Sequence, residues 1–140
     1  MTREIKFKVE DEETNYLLGY EVLEGNEWWF YPTGKSKIKG VYKLSARRRQ
    51  YTGLKDKNEK EIYEWDIIES KFENIYRKIK YIGYVIYTKW LFTTNPISWY
   101  GYNKRTKRSI PEIITMNPLA GDTRNCKIIG TIYENPEKVK

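Results

Sequence analysis

Residues 78–89 read KIKYIGYVIYTK and carry apolar side chains in both alternating registers of an extended chain. Ile79 and Tyr81 fall on one face, and Ile82 and Ile86 fall on the other, because successive side chains of a strand point in opposite directions. A strand that is apolar on both faces is typical of a central position in a sheet or of cover from both sides. We therefore expect these residues to form a strand in the interior of a sheet.

On either side of this segment, the chain consists of short extended pieces separated by turn signals. The sequence contains 13 Tyr and 5 Trp, and aromatic residues fit the pleated surface of a sheet. Glu24-Gly25-Asn26 is a hairpin signal between two such pieces. The pattern predicts a mainly β protein, α+β at most, in which residues 1–45 form an antiparallel β-meander. Residues 46–140 are predicted to form a small SH3-like β-barrel, packed with the meander as one compact unit.

The ionisable residues limit the chemistry of the chain. Its 140 residues include no His and one Cys, and the formal net charge is +7. Without His, the commonest general base and the commonest transition-metal ligand are missing. A single Cys cannot form an internal disulfide, which fits a reducing cytoplasm, and no apolar run approaches the roughly 20 residues of a membrane span. We expect a cytoplasmic protein without a membrane segment and without a cofactor.

Three stretches of the sequence carry a family pattern. The stretch REIKFK occupies residues 3–8, and IIGTIYENPE occupies residues 128–137. Between them, residues 50–68 contain QYTGLKDKN, KEIYE and DII in that order. Together they resemble the YopX family, and the middle stretch is the most specific. The resemblance implies a β-rich, self-associating protein of temperate phages and prophages of low-GC Gram-positive bacteria, with no established catalytic activity and no functional residues to transfer.

The middle stretch departs from the family pattern at Trp65, where the family usually has Gly. Glycine would allow a left-handed backbone at low cost, so either the backbone is ordinary at Trp65 or the turn is strained. The indole is then either part of the core or a contact for a partner. The rest of the stretch is explained as a folding signature, in which residues 55–60 form a hairpin tip and Asp66 caps a turn by accepting backbone N–H groups.

The sequence offers few residues for catalysis. Cys126 lies at the start of a predicted strand, and we expect it to be a small buried thiol. Glu64 and Asp66 share one face of an extended segment, and magnesium often uses only one or two carboxylates, but nothing distinguishes this pair from a solvated face. We therefore expect no enzymatic activity, no catalytic residues and no metal site.

A dense aromatic cluster, Trp28-Trp29-Phe30-Tyr31, supports the first interpretation of function. In a strand, Trp28 and Phe30 face one way and Trp29 and Tyr31 the other, so one face is exposed unless the chain covers both. Large aromatic residues anchor protein interfaces. We interpret the chain as a non-catalytic accessory protein that binds a host or competing-element protein as a homo-oligomer. The contact residues of this interpretation are Trp28, Trp29, Phe30 and Trp65.

Two basic segments beside aromatic residues, at positions 47–51 and 99–108, support an alternative. Basic and aromatic residues together suit nucleic acid, because phosphates need charge and bases need a stacking platform. The alternative is a module that binds single- or double-stranded nucleic acid, and it competes with the simpler explanation of a charged hairpin tip and a solvated loop. The residues of this module are Arg47, Arg48, Arg49, Lys104, Arg105, Lys107 and Arg108.

Overall fold

The computed structural model describes residues 4–88, 91–109, 119 and 123–139, and most of them lie in strands. The expected mainly β class is confirmed, with two antiparallel sheets. The helices in these ranges are short 3-10 turns, and none is long and apolar enough to cross a bilayer. The strands are β1 (Lys6–Glu10), β2 (Leu17–Glu24), β3 (Glu27–Pro32), β4 (Ile38–Lys39), β5 (Arg47–Lys55), β6 (Glu61–Tyr63), β7 (Asp66–Glu73), β8 (Arg77–Thr88), β9 (Leu91–Asn103), β10 (Arg108–Ser109) and β11 (Cys126–Thr131).

The chain divides into two compact units, Met1–Gly53 and Leu54–Lys140. In the first unit the strand order is β4-β3-β2-β1-β5, with antiparallel neighbours. Strands β1 to β4 therefore form the predicted meander, and β5 returns beside β1. The predicted hairpin between β2 and β3 is also confirmed. Its turn contains Gly25 at φ 62°, a left-handed conformation that costs glycine little.

The second unit contains a five-stranded sheet with the order β10-β9-β8-β7-β11. Strand β8 is central, between β7 and β9, which confirms the interior strand expected from the sequence. The buried face of β8 carries Ile79, Tyr81 and Val85. Strand β5 continues past Gly53 into this unit, where β6 is its sheet neighbour. Closure of this region into a barrel remains a prediction.

A cluster of buried apolar side chains forms the core of the second unit. Cys126 belongs to it and is fully buried, which confirms the buried thiol expected from the sequence. Leu54 and Ile128 are half-buried and pack against the cluster. Its members are Ile62, Ile68, Val85, Phe92, Leu119 and Cys126.

The hairpin tip predicted at residues 55–60 joins β5 to β6, and the buried carboxylate of Asp56 organises it. Asp56 Oδ1 accepts the backbone N–H of Asn58 at 2.8 Å and of Lys60 at 3.0 Å, and Oδ2 accepts that of Ile128 in β11 at 3.0 Å. Burial acts to raise the pKa of Asp56, but these hydrogen bonds and the charge of Lys60 outweigh it and hold the pKa below its ordinary value. The family stretch therefore ties the hairpin tip to the last strand.

Candidate protein-binding groove and basic surfaces

The arginines of the first basic segment, at positions 47–49, form ion pairs inside the first unit. Arg49 is 1% exposed, and its Nε and one terminal nitrogen each donate to a carboxylate oxygen of Glu10 at 2.9 Å. Arg47 Nε lies 3.3 Å from the same carboxylate, and its Nη2 donates to Asn15 at 2.7 Å. Burial acts to raise the pKa of Glu10, but the hydrogen bond and charge of Arg49, with the charges of Arg47 and Lys8, hold it below its ordinary value. Arg47 and Arg49 therefore neutralise the buried carboxylate of Glu10, which is a structural role.

Arg48 points to the opposite face of β5 and holds a loop in place. Its guanidinium donates to both carboxylate oxygens of the buried Glu21, at 2.7 and 3.0 Å. The same guanidinium donates to the backbone carbonyl of Tyr42 at 2.8 Å and to that of Ala46 at 3.3 Å. The carboxylate of Glu21 in turn accepts the backbone N–H of Tyr42 at 2.7 Å. Arg48 and Glu21 thus fasten the segment after β4 onto the sheet.

This fastened segment and β3 form the Ile38 groove, a cavity of about 500 Å³ in the first unit. Phe30 and Tyr42 pack ring against ring at 5.2 Å between centroids, and Ile38 and Val41 also line the groove. Ile38 is 57% exposed, and Val41 and nearby Leu44 are exposed as well. Ile38 was not among the residues predicted from the sequence, where its only signal is an isolated apolar residue between lysines. The lysines that line the groove are Lys35, Lys39 and Lys43.

The aromatic cluster of β3 alternates between the two faces as its sequence predicts. Phe30 is buried at the floor of the groove, and Trp28, on the same face, is half-buried with its ring 6.0 Å from that of Phe7. Trp29 is half-buried on the other face, and Lys37 Nζ lies 4.4 Å from its ring centroid, a cation–π contact. Of these three residues, Phe30 is the one that the structure places in the groove.

Trp65 lies in the second unit, in the turn between β6 and β7. Its φ is 70°, so the backbone is left-handed, a conformation that costs a residue with a side chain roughly 1–2 kcal/mol. The backbone is fixed by hydrogen bonds from Trp65 N–H to Val85 at 2.8 Å and from Ile132 N–H to Trp65 at 3.1 Å. The indole is half-buried and stacks on Tyr84, with the ring centroids 6.2 Å apart. Of the two alternatives left by the sequence, the strained turn is the one observed.

The second basic segment forms the turn between β9 and β10. Arg105, Lys107 and Arg108 are exposed, and Lys107 has a left-handed φ of 58°. Lys104 is half-buried and pairs with Glu73 of β7. Three cationic side chains are therefore displayed together at one end of the second sheet.

The outward face of the same sheet carries further lysines and tyrosines, here called the Lys–Tyr face. In the β7-β8-β9 register, Lys71 lies opposite Lys80, which lies opposite Tyr100; in the next row Lys78 lies opposite Tyr102. Side chains opposite one another in adjacent strands are about 5 Å apart at Cβ. These lysines were not among the residues predicted from the sequence. The signal for Lys78 and Lys80 is Lys at alternate positions of β8.

The carboxylates Glu64 and Asp66 belong to the turn that contains Trp65. Asp66 is buried, and its Oδ2 accepts the backbone N–H of Tyr63 at 2.8 Å, which confirms the predicted turn cap. Glu64 is half-buried. Within the described ranges, no three His, Cys, Asp or Glu residues come together in a way that would hold a metal ion.

Comparison with known proteins places this fold. Among solved structures, the chain is similar to the crystal structure of protein EF1440 from Enterococcus faecalis, with a TM-score of 0.56 and 18% sequence identity, over 99% of this chain and 100% of that chain. No curated protein matches the sequence. The family model described as YopX protein matches residues 10–140. This match spans nearly the whole chain, so the resemblance seen in the sequence is confirmed and the chain belongs to the YopX family.

Proposed function

We propose that the protein is a non-catalytic accessory protein of phage or prophage origin, which binds a protein of the host or of a competing element in the host cytoplasm and acts as an oligomer. The observation that supports the proposal is the Ile38 groove, where exposed apolar side chains surround a cavity of about 500 Å³. Contiguous exposed apolar patches on small proteins mark interaction sites more often than isolated exposed residues do.

The groove combines an apolar floor with a cationic rim. Phe30 and Tyr42 supply the floor, and Lys35 and Lys43 are exposed at the rim. Lys39 Nζ lies 3.2 Å from Glu27, an ion pair that leaves both side chains more than half exposed. Charge complementarity therefore favours a partner segment in which an apolar anchor is flanked by Asp or Glu. The net charge of +7 would also speed the approach of an acidic partner.

The shape of the groove is set before any partner arrives. Tyr42 is held through its backbone N–H and carbonyl by Glu21 and Arg48, and through its ring by Phe30. A preorganised site loses less conformational entropy on binding than a mobile loop would. The Arg48–Glu21 pair thus contributes to binding as a positioning pair.

The proposal is tested by affinity capture from a lysate of a low-GC Gram-positive host, with the wild type and two matched variants. Ile38→Ala removes an exposed isoleucine from the groove, and Ile75→Ala removes one that is 77% exposed in the other unit. Both sites are surface positions, where replacements usually change stability by less than about 0.5 kcal/mol. We expect one nuclease-resistant partner with the wild type and Ile75→Ala. Loss of an anchor typically costs about 2 kcal/mol, so Ile38→Ala should lower affinity for that partner about 30-fold.

Equal capture by all three forms would contradict the proposal, as would recovery of nucleic acid and its binding proteins alone. The groove could instead be occupied by a second copy of this chain. Sedimentation velocity tests this alternative, because it measures the oligomeric state of the wild type and of Ile38→Ala. If Ile38→Ala dissociates the oligomer and no foreign protein is captured, the groove is a self-association site and the partner assignment is wrong. If the oligomer survives Ile38→Ala while the foreign partner is lost, the proposal holds.

A further inference from the structure

The Lys–Tyr face brings like charges together at short range. Lys71 and Lys80 lie directly opposite each other in the β7-β8 register, and like charges in that position destabilise a sheet. Glu69 lies beside both, 3.3 Å from Lys71 Nζ and 3.6 Å from Lys80 Nζ. One carboxylate thus serves two ammonium groups. In the next row, Lys78 lies opposite Glu73, whose carboxylate also pairs with Lys104. An anion bound here would relieve the repulsion that remains.

Aromatic rings flank these lysines along the sheet. Tyr100, which is 47% exposed, lies opposite Lys80, and half-buried Tyr102 follows in the next row. Tyr84 lies on the same face of β8, four residues from Lys80, which corresponds to about 13 Å along the strand, and carries the stacked indole of Trp65. Ring faces and ammonium groups therefore alternate along one face of the sheet.

We propose that the Lys–Tyr face binds single-stranded nucleic acid, with phosphates at Lys71, Lys78 and Lys80 and bases stacked on Tyr100 and Tyr102. Single strands combine a charged backbone with exposed base faces, which is the combination that this surface complements. A duplex hides its base faces and would use the lysines alone. The exposed cations of the adjacent β9–β10 turn extend the positive surface at one end. This site lies in the second unit and does not depend on the Ile38 groove.

Fluorescence anisotropy with labelled oligothymidylate and oligouridylate tests the stacking half of the proposal. Tyr100→Ala should weaken binding by about 5- to 150-fold, the range for loss of one base–aromatic stack. Tyr100→Phe keeps the ring and should bind as the wild type does, which separates stacking from a folding defect. Tyr16→Ala removes a tyrosine of the first unit that is 73% exposed, more than Tyr100, and it should have no effect.

The same assay over a salt series tests the electrostatic half. Each phosphate contact on a single strand contributes about 0.7 to the slope of log affinity against log salt, so replacing three lysines should flatten the slope by about 2. The variant is the triple Lys→Gln replacement of Lys71, Lys78 and Lys80. The control makes the same change of charge at three exposed lysines elsewhere, Lys55, Lys57 and Lys138.

The proposal is overturned if the wild type shows no saturable binding at low salt, or if Tyr100→Ala binds as tightly as the wild type. Equal affinity for duplex and single strand would also overturn it, because charge alone would then explain binding. If the triple lysine variant instead loses a captured protein that the Ile38→Ala variant retains, the face belongs to a protein partner and the nucleic-acid assignment fails.

Discussion

Replacement of Arg49 by methionine should destabilise the first unit rather than merely remove a surface charge. Met keeps most of the aliphatic volume and deletes the guanidinium, which is buried and makes two hydrogen bonds of 2.9 Å to Glu10. Breaking a buried ion pair by removing one partner costs about 3–5 kcal/mol, because the other charge is left buried. Arg47 remains 3.3 Å from Glu10 and compensates in part for the lost charge. We therefore expect the free energy of unfolding to fall by about 3 kcal/mol.

Urea denaturation followed by tryptophan fluorescence measures this loss. With a slope of about 1–3 kcal/mol per molar urea, a loss of about 3 kcal/mol lowers the midpoint by about 1–3 M. Arg105→Met is the matched control, because Arg105 is exposed in the turn after β9, and its midpoint should not move. In a double-mutant cycle, Glu10→Gln should cost less in the Arg49→Met background than in the wild type, since the two groups are coupled.

An Arg49→Met midpoint equal to that of the Arg105→Met control would refute the buried pair. Additive costs of Arg49→Met and Glu10→Gln would refute the coupling between them. The outcome also decides how charge variants are interpreted. If Arg49 is structural, a variant that lacks Arg47, Arg48 and Arg49 would lose nucleic-acid binding because it is destabilised. Nucleic-acid binding is then better tested with variants of the Lys–Tyr face.

Three further predictions follow from the turn, the hairpin tip and the buried carboxylates. Trp65→Gly should be more stable than Trp65→Ala by about 1 kcal/mol, the reverse of the usual order. Both replacements lose the indole, but only alanine keeps the left-handed strain. Equal midpoints in urea would contradict the strained turn. Asp56→Ala should lower the free energy of unfolding by about 2 kcal/mol or more, because three backbone N–H groups lose a charged acceptor. Asp56→Asn keeps an acceptor oxygen, so in thermal unfolding it should lose less stability than Asp56→Ala. The carboxyl pKa values of Glu10 and Asp56 are lowered from the ordinary 4.5 and 3.8 by folding, so the unfolded chain binds more protons in acid. Their stabilisation is present above those ordinary values and is lost as the pH falls through the lower folded values; a urea midpoint that stays constant from pH 5 to pH 2 would contradict this.

The sequence predicts elements whose evidence is local. The alternation of residues 78–89 identifies the central strand β8 because apolar residues occupy both registers, and Gly25 with its neighbours identifies the β2–β3 hairpin. The faces of Trp28, Trp29 and Phe30 follow from the period of two in a strand. In each case the signal and the structure lie within about ten residues of one another.

The sequence could not predict the partners that strands meet across a sheet. Arg47, Arg48 and Arg49 look like a charged tip until β5 pairs with β1 and brings Arg49 beside Glu10. Likewise, Val41 is visible as an isolated apolar residue, but the groove exists only because the distant Glu21 and Arg48 fasten the chain over the sheet. The sequence left two conformations open at Trp65, because the intrinsic preference of the residue opposes the left-handed one, and two long-range backbone hydrogen bonds impose it.

The Asp56 carboxylate has a consequence for the order in which the chain folds during translation. Its bond to Ile128 joins residues 72 positions apart, whereas the ion pairs of the first unit close as soon as residue 49 has left the ribosome. The first unit can therefore form early, while the bond from Ile128 to the hairpin tip waits for β11 to be synthesised. In a nascent chain stalled before residue 128, the Asp56 oxygen that accepts this bond would still be hydrated.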